Sequence, residues 1–377
     1  MKPVLVTAMG MVSSLGPSAV GACAAARAGI SRAAELEALN FAGDEAWGEG
    51  PVVGHAALPA GSVGVARARK LASGALEDLL ATRDLRQEGT DRTSLHLCLA
   101  DLFLEDKAAS REREGEPTDG PDGTLSQPSE EWAAGAPSLM RSVLESTGLN
   151  LREANLRWKC KGHVGVAQAV QEAADLIQAG QADRALIGAV ESCIEPRPLQ
   201  AALTMGAVRT QENPVGFIPG EAGAFFLLES VDTVARRGEK GILQIEGVSW
   251  TETGVDRFDD AESGGYRFVE ALSSVLGQVS GGEPPHLVVG DLNGEVHRAN
   301  AWGHALMRVG DPAILGNAPL WAPALSFGET GAAVGGVGVC MLAQGYRRGH
   351  APGSRSLIWL IADRGGVGAI SLSSPAT

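Results

Sequence analysis

The chain has 377 residues, of which 44% are hydrophobic and 20% charged, a composition typical of a globular protein with two domains or a fused duplication. Its formal net charge of −14 argues against a nucleic-acid partner, which usually requires a basic surface. The five cysteines are widely spaced and form no CxxC pair, so the sequence indicates neither a disulfide framework nor a zinc site.

The N-terminal stretch MKPVLVTAMGMVSSLG runs directly into a strand pattern. It lacks the long apolar region and the small-residue cleavage site of a signal peptide. No apolar run in the chain reaches the roughly 18 residues of a membrane span. The sequence therefore predicts a cytoplasmic protein that has no membrane partner.

Strand and helix patterns alternate through the first part of the chain. In chain order, the patterns predict a strand at 3–8, helices at 17–28 and 64–83, a strand at 94–103, a helix at 137–147, strands at 155–160 and 183–192, and a glycine bend with a buried strand within 215–230. The helix after the 155–160 strand carries Val166, Val170 and Ile177 on one apolar face.

Residues 105–135 interrupt this alternation. They are rich in charged residues, proline, glycine and serine, and they contain almost no large apolar side chain. Such a segment cannot bury enough surface to offset the entropy lost on ordering. The composition therefore predicts a long mobile insertion on the surface.

The remainder of the chain repeats the alternation. The predicted elements are a helix at 231–237, a strand at 241–250, a helix at 265–279, a strand at 286–292, a helix at 296–308, and two strand-like runs after the glycine-rich stretch at 326–346. Alternation in two successive parts is typical of α/β proteins. We therefore expect an α/β duplication, with an N-terminal half at 1–230, a C-terminal half at 231–377 and a parallel or mixed sheet in each.

Three stretches in the same order resemble the β-ketoacyl synthase branch of the thiolase-fold family. VLVTAMGMVSSLG followed by ARAGIS is similar to the opening of that family, and EAADLIQAGQADRALIGAVES to the helix and strand after its nucleophile. GFIPGEAGAFFLLES is similar to its G-F-x-x-G-E-G-A-G segment; the matching residues are Gly216, Phe217, Gly220, Glu221 and Gly223. The resemblance implies a thiolase-like fold, with two similar βαβ halves in a five-layered α-β-α-β-α arrangement.

The family condenses acyl thioesters with a cysteine nucleophile and two histidines that stabilise the enolate and the oxyanion. Counting back from LIQAGQAD places the nucleophile position on His163. The first histidine position falls at or next to Leu292, and the second falls on Glu329. The aromatic residue of the family's G-F-G-G loop is also missing from DRGGVGA. The resemblance therefore implies a ketosynthase-like protein that lacks the catalytic set.

Cys160 admits two interpretations. It could be a displaced nucleophile, but it lies in the predicted strand, where Leu156 and Trp158 alternate with cationic residues. This alternation favours a buried structural thiol. In the family the equivalent strand pairs across a dimer two-fold axis, so the cations at 157, 159 and 161 require either an acidic partner or a different dimer, unless they form a solvated face.

A polar cluster follows the strand predicted at 286–292. Its members are Asp291, Asn293, Glu295, His297, Arg298 and His304. Ligands bind beyond the carboxyl ends of strands in α/β folds, so the cluster is a candidate site, although helix capping also explains it. The histidine spacing does not support a metal site, and the glycine runs do not fit a dinucleotide fingerprint. We expect no metal and no cofactor.

The favoured hypothesis is a catalytically inactive ketosynthase-like protein. It would act as a non-condensing partner, like a chain-length factor, or as an accessory protein, for example in protein secretion. The alternative is an acyl-thioester-processing enzyme, such as an acyltransferase, decarboxylase or hydrolase, with a non-standard site around His163 and Glu329. His163 itself is either a catalytic base or a structural residue, and at a helix N-terminus it should be neutral. The resemblance implies a homodimer or a heterodimer with a second ketosynthase-like chain, with an acyl carrier protein as a further candidate partner.

Overall fold

Two sets of five strands form the centre of the protein. The structure is a computed structural model that describes residues 4–36, 52–88, 90–114, 127–262, 265–279, 284–308, 315 and 318–375. In chain order the strands are β1 (Val4–Ser13), β2 (Ala34–Glu35), β3 (Val53–Gly54), β4 (Thr93–Leu99), β5 (Leu156–Cys160), β6 (Arg184–Ser192), β7 (Glu221–Ser230), β8 (Leu243–Glu252), β9 (Leu287–Gly290), β10 (Leu320–Trp321), β11 (Arg355–Ile361) and β12 (Gly366–Ser373).

The helices alternate with these strands. In chain order they are α1 (Ala19–Arg27), α2 (Gly64–Thr82), α3 (Phe103–Glu114), α4 (Pro128–Thr147), α5 (Gly165–Gln178), α6 (Pro196–Thr204), α7 (Val231–Arg236), α8 (Arg257–Glu262), α9 (Tyr266–Val279), α10 (Val296–Arg308), α11 (Ala324–Phe327) and α12 (Val334–Arg347). No helix in the described ranges combines the length and the apolarity needed to cross a membrane.

The two sets of strands have the same topology. The first has the order β5-β4-β6-β7-β1 and the second β10-β9-β11-β12-β8, which is 3-2-4-5-1 in both when the strands are numbered within their set. In each set the two connections at the outer edge are parallel, and the other two are antiparallel. A short pairing of β1 with β8 joins the sets. The predicted duplication is therefore confirmed.

The helices form three layers around the sheets. Helices α2 and α4 cover the outer face of the first set, and α9 and α10 cover that of the second, whereas α5 and α12 lie between the two. Helix α12 is apolar almost all round, whereas α5 keeps a polar side that includes Gln171, Glu172 and Asp175. Both helices contact strands from both sets. This is the five-layered arrangement that the resemblance implies. Because β7 ends at Ser230 and β8 begins at Leu243, we retain a division between residues 230 and 231 as a proposal.

The predicted mobile insertion at 105–135 is wrong at both of its ends. Helix α3 occupies residues 103–114, and α4 begins at Pro128, nine residues before its predicted start. Gln127 and Glu130 form a capping box at this start, which sets the helix N-terminus. Polar contacts hold α3 in place together with the buried Phe103, which stacks on Phe258, and composition alone does not reveal these contacts. Residues 115–126 lie outside the described residues.

Candidate functional site

Two equivalent glycine turns face each other at the centre of the protein. Gly162 and Gly331 open short 3-10 turns that lead into α5 and α12, with φ angles of 52° and 53°. This left-handed region favours glycine. A Cβ atom would also lie 2.9 Å from Asp101 Oδ2 at the first turn and 2.1 Å from the Glu191 carboxyl carbon at the second. A carboxylate thus lies against the start of each middle-layer helix, and both carboxylates come from the N-terminal half.

His163 lies in the first of these turns and is buried. Its Nε2 is 2.8 Å from Glu329 Oε1, and its Nδ1 is 2.7 Å from Arg298 Nη2. Because a guanidinium can only donate, Nδ1 must present its lone pair and Nε2 must carry the proton toward Glu329. Burial, and then the charge of Arg298, hold the pKa of His163 well below its ordinary value. The ring is therefore neutral, as the sequence predicts.

Arg298, from α10, is the centre of the buried charges. It is 0% exposed and donates to Asp291 Oδ2 at 2.6 Å and to Asp363 Oδ1 at 3.1 Å. It also donates to the Ile361 carbonyl oxygen, which lies 2.8 Å from His163 Nδ1, so the guanidinium bridges these two acceptors. Asp291 follows β9 and Asp363 follows β11. The network thus forms where the carboxyl ends of parallel strands meet.

A second arginine completes the pairing of these acids. Arg257 lies 2.6 Å from Glu295 Oε1 and 3.1 Å from Asp363 Oδ2. Burial raises the pKa of Asp291 well above its ordinary value, although Arg298 opposes the shift. For Asp363 burial also acts to raise the pKa, but Arg257 and Arg298 outweigh it and hold the pKa well below the usual range.

Glu329 connects this network to the second glycine turn. Its carboxylate accepts from His163 Nε2, from Asn293 Nδ2 at 2.6 Å and from the Gly331 N–H at 2.7 Å. Burial raises its pKa, against the effects of Arg298 and of these donors. Leu292 is not at the site, because its side chain packs into the outer core against α9 and α10. Asn293, one residue later, reaches Glu329 instead.

A small acidic cavity lies beside the histidine. Its volume is about 60 Å³, and Asp101, Glu105, Glu191 and Cys193 are among its lining residues. Such a space holds a few water molecules and is far smaller than the roughly 300 Å³ of a small-molecule pocket. Burial raises the pKa of Asp101 to about 6 and that of Glu105 to about 7. It also raises the pKa of Cys193 well above its ordinary value, and Glu191 adds to this shift.

Three of the predicted site residues lie away from His163. His304 is exposed on α10. His297 is at the edge of the network, with Nε2 3.5 Å from Asp363 Oδ1. Cys160 remains in β5, packed against the core under α4, and burial raises its pKa to about 11. Its position supports the structural interpretation, and Leu156 packs beside it.

The cations that alternate with Cys160 find partners within the chain. Arg157 Nε and Lys159 Nζ lie 3.2 Å and 2.6 Å from the Glu172 carboxylate on α5, and Lys161 lies 3.3 Å from Glu252. The nearby His96, whose Nδ1 lies 3.6 Å away, and Lys159 lower the pKa of Glu172 to about 2, although burial acts to raise it. A partner strand therefore does not need to supply all of the negative charge.

Sequence reasoning missed several acids and one arginine of the site. Asp363 lies in the DRGGVGA loop, which stood out for its missing aromatic residue, but nothing in the sequence links this loop to Arg257 or Arg298. Asp101 lies two residues after the end of β4, and Glu191 lies at the end of β6. A systematic search for carboxylates at the ends of predicted parallel strands would have found both.

The segment that resembles G-F-x-x-G-E-G-A-G lies beside the site and is held by buried polar contacts and close backbone packing. Glu221 is fully buried and pairs with Arg67 through two contacts of 2.6 Å, and Ser192 donates to it at 2.7 Å. A Cβ at Gly216, Gly220 or Gly223 would come within 2.2–2.4 Å of backbone atoms of neighbouring segments. Phe217 is buried in a small cluster with α6 and also lines the cavity.

The acids and the histidine form an ion-pair network rather than a metal centre. The ligand atoms of His163, Asp291 and Glu329 lie close together, and so do those of Glu295, His297 and Asp363. However, Asp291 approaches the Nδ1 side of the ring at 3.5 Å and Glu329 the Nε2 side at 2.8 Å. One ion cannot bind both carboxylates and the histidine from opposite sides of the ring, and the arginines already pair with the acids.

Comparison with known proteins agrees with this architecture. No protein-family model matches the chain. The chain is 29% identical over 191 residues to 3-oxoacyl-(acyl-carrier-protein) synthase 2 of Mycobacterium bovis, which covers 45% of this chain and 43% of that relative. The namesake from Mycobacterium leprae is 28% identical over 216 residues, or 52% of this chain and 49% of the relative. The chain thus matches about half the length of these relatives.

Solved structures match over the whole chain. One is a chain from a complex of a type II PKS acyl-carrier protein with its ketosynthase, with a TM-score of 0.74, 17% identity and 99% of both chains covered. The chain therefore has the fold of the ketosynthases and is similar in sequence to 3-oxoacyl-(acyl-carrier-protein) synthases over about half of their length. The ishigamide ketosynthase/chain length factor superposes on this chain over 100% of both chains, with a TM-score of 0.65 and 18% identity.

Proposed function

We propose that this β-ketoacyl synthase-like protein does not condense acyl groups and instead acts as a non-catalytic protein partner. The pair formed by His163 and Glu329 carries this proposal. The resemblance assigns His163 to the nucleophile position, where both ring nitrogens are already engaged by side chains of the same protein. No thiol of the described residues occupies this turn.

The backbone N–H groups at the second glycine turn, which could otherwise stabilise an oxyanion, are also engaged. The N–H groups of Gly331 and Ala332 donate to Glu329 and Glu191, at 2.7 Å and 2.6 Å. Preorganised N–H groups must be free to accept the charge that develops in the transition state. Two resident carboxyl groups therefore compete with a reacting oxyanion for these donors.

Cys193 supports the proposal for a further reason. It lines the cavity, but its raised pKa keeps the thiol protonated near neutral pH. Since the thiolate is the nucleophile, this residue does not supply a substitute for the missing cysteine. The small volume of the cavity also leaves no room for an acyl chain.

The alternative, an acyl-thioester-processing enzyme at His163, is less well supported. A general base needs a lone pair within reach of a substrate proton or a water molecule. The Nδ1 lone pair of His163 accepts from Arg298, and the Nε2 proton points at Glu329. The buried ring thus has no free position for a substrate.

As the partner we propose a second ketosynthase-like chain that carries its own cysteine. One of the solved structures that the chain resembles is a ketosynthase/chain length factor, and this likeness supports the choice. An acyl carrier protein would then contact the pair. An accessory role outside acyl metabolism is the other form of the same proposal. Identification of the chains that copurify with the native protein separates the two forms.

The test of inactivity is incubation with an acyl-coenzyme A thioester, followed by intact mass measurement and assay of released thiol. We expect no acyl adduct and no thiol release above background, whereas an active ketosynthase measured in parallel becomes acylated. Cys160→Ser and Cys193→Ser variants locate any adduct that forms. An adduct that disappears in either variant, or thiol release that depends on His163, would show that the protein is an enzyme.

A further inference from the structure

A second, larger cavity lies between α1, β10, α11 and α12. None of its lining residues belongs to the His163 network. Its volume is about 450 Å³, within the range of roughly 300–1,000 Å³ that is usual for small-molecule sites. Its apolar surface comes mainly from Leu320, Trp321, Leu325 and Met341. Leu325 is 82% exposed, so an apolar side chain at the rim of this cavity is left uncovered.

The aromatic wall of this cavity is preformed. Trp321 lies at the edge of the second strand set and packs over Gly345 of α12, where a Cβ would come within 3.1 Å of its ring. Its ring also lies 5.9 Å from that of His350, at an angle of 31°. Contacts on two sides thus hold the indole in place, so little side-chain conformational entropy would be lost when an apolar ligand binds against it.

The polar end of the cavity is electropositive and unsatisfied. Arg27, in the last turn of α1, lines the cavity, and no described residue forms an ion pair with it. His350 Nδ1 is closed to solvent and has no hydrogen-bond partner among the described atoms. Burial lowers the pKa of His350, and the Arg27 charge lowers it further, so the ring is a neutral donor. A guanidinium and an imidazole N–H are suited to a carboxylate.

We propose that this cavity binds an amphipathic carboxylic acid. The apolar chain of the ligand lies against Trp321, Met341 and Leu325, and its carboxylate lies between Arg27 and His350. The proposal is independent of the proposed function, because none of these residues contacts the His163 network. Neutral lipids and amines lack a negatively charged group that could pair with Arg27, so the proposal excludes them as ligands.

The test is calorimetric titration of the full chain with sodium octanoate, with 1-octanol and octylamine as neutral and cationic analogues. We expect octanoate to bind and octylamine not to bind. Arg27→Gln should weaken octanoate binding by about tenfold or more, because it removes a charge-assisted hydrogen bond. Arg347→Gln is the matched control, since Arg347 also lies in the last turn of a helix but does not line the cavity.

Each result has a definite meaning. Weaker binding in Arg27→Gln and in His350→Ala, with unchanged binding in Arg347→Gln, supports the site. No binding of octanoate, equal binding of octanoate and octylamine, or equal loss in the two arginine variants overturns it. Ala26→Phe places a ring in the cavity without a change of charge; if it folds with an unchanged melting temperature and still binds octanoate, the ligand lies elsewhere.

Discussion

At the scale of single residues, Arg298 offsets the negative charge of the acids at the centre of the protein, so that this network can be buried. It is fully buried and faces Asp291, Asp363 and Glu295. Removing one partner of a buried charge network leaves uncompensated charges, which typically costs about 3–5 kcal/mol. This cost exceeds the usual effect of a surface substitution, which is within about 0.5 kcal/mol.

We therefore expect Arg298→Met to lower the free energy of unfolding by about 3–5 kcal/mol. Urea unfolding followed by circular dichroism measures the change. Arg236→Met, at the exposed end of α7, is the control and should change the stability by less than about 1 kcal/mol. An effect of Arg298→Met no larger than that of the control would show that the acids do not depend on this residue.

His163 gives a prediction about pH. Its pKa in the folded protein is well below the ordinary value, whereas in the unfolded chain it is about 6.5. Below this pH the unfolded chain binds a proton that the folded protein does not bind, so the contribution of His163 is lost as the pH falls. The loss amounts to at most about 1.4 kcal/mol per pH unit.

His163→Gln keeps a donor and an acceptor but does not titrate. We expect it to destabilise the protein most at pH 7 and above, and the gap from the wild type should narrow as the pH falls from 6.5 to 5. Unfolding curves at several pH values measure this gap. His304→Gln, at an exposed position on α10, is the matched control variant. A gap that stays constant or widens for His163→Gln would mean that His163 is charged in the folded protein.

The sequence could predict part of this site. The spacing before α5 identified His163, and the glycine pattern before α12 identified Glu329. Arg257 and Asp363 could not be found, because Arg257 begins α8 and Asp363 lies in the loop after β11, and only the folded sheet brings these positions, more than 100 residues apart, together. The sequence placed the first histidine position at or next to Leu292; Leu292 itself faces the outer core, and Asn293, the next residue, reaches Glu329.

At the scale of secondary structure, α3 is the element that sequence composition misrepresents. Its first residues cover the cavity, and Leu102 before it has a φ of 49°, which is costly for a residue with a side chain. Arg364 secures this turn: it donates to the Asp101 carbonyl at 3.0 Å, pairs with Asp106 at 2.5 Å and lies 5.4 Å from the Phe103 ring. The same loop carries Asp363, so one loop organises the buried network and this helix.

We expect Arg364→Ala to loosen α3 without unfolding the protein. Amide hydrogen exchange in residues 103–111 should become roughly fivefold to tenfold faster, which corresponds to about 1–1.4 kcal/mol of local stability. Arg141→Ala is the control, because Arg141 pairs with Glu153 at 3.0 Å on the surface and should leave the exchange of α3 unchanged. If both variants leave it unchanged, other contacts hold the helix.

At the scale of the whole molecule, the duplication was predictable because strand and helix patterns alternate in both halves. The strand order was not, since β1 pairs with β7 and β8, which are more than 200 residues away in the chain. The alternation in β5 was also read correctly: Leu156 and Cys160 pack against the core under α4, and Arg157 and Lys159 face α5. Trp158 lies on the same face as Leu156 and Cys160 but is 43% exposed.

This uncovered tryptophan leads to a prediction about assembly. β5 is the edge of the ten-stranded sheet, and an edge with an exposed aromatic residue is a suitable surface for strand pairing with another chain. The cations at 157, 159 and 161 are partly neutralised by Glu172 and Glu252, which lowers the repulsion between two copies. We therefore expect the purified chain to form a dimer through β5 at micromolar concentration.

Light scattering coupled to size-exclusion chromatography tests this expectation. Trp158→Glu should convert the dimer to a monomer, because it places a charge in an apolar contact at the edge, while the melting temperature of the isolated chain should change little. Tyr266→Glu, at an exposed aromatic residue on α9, should remain dimeric. A Trp158→Glu dimer would place the interface elsewhere, and a monomeric wild type would mean that β5 pairs only with a different ketosynthase-like chain, which a mixture of the two chains would then reveal.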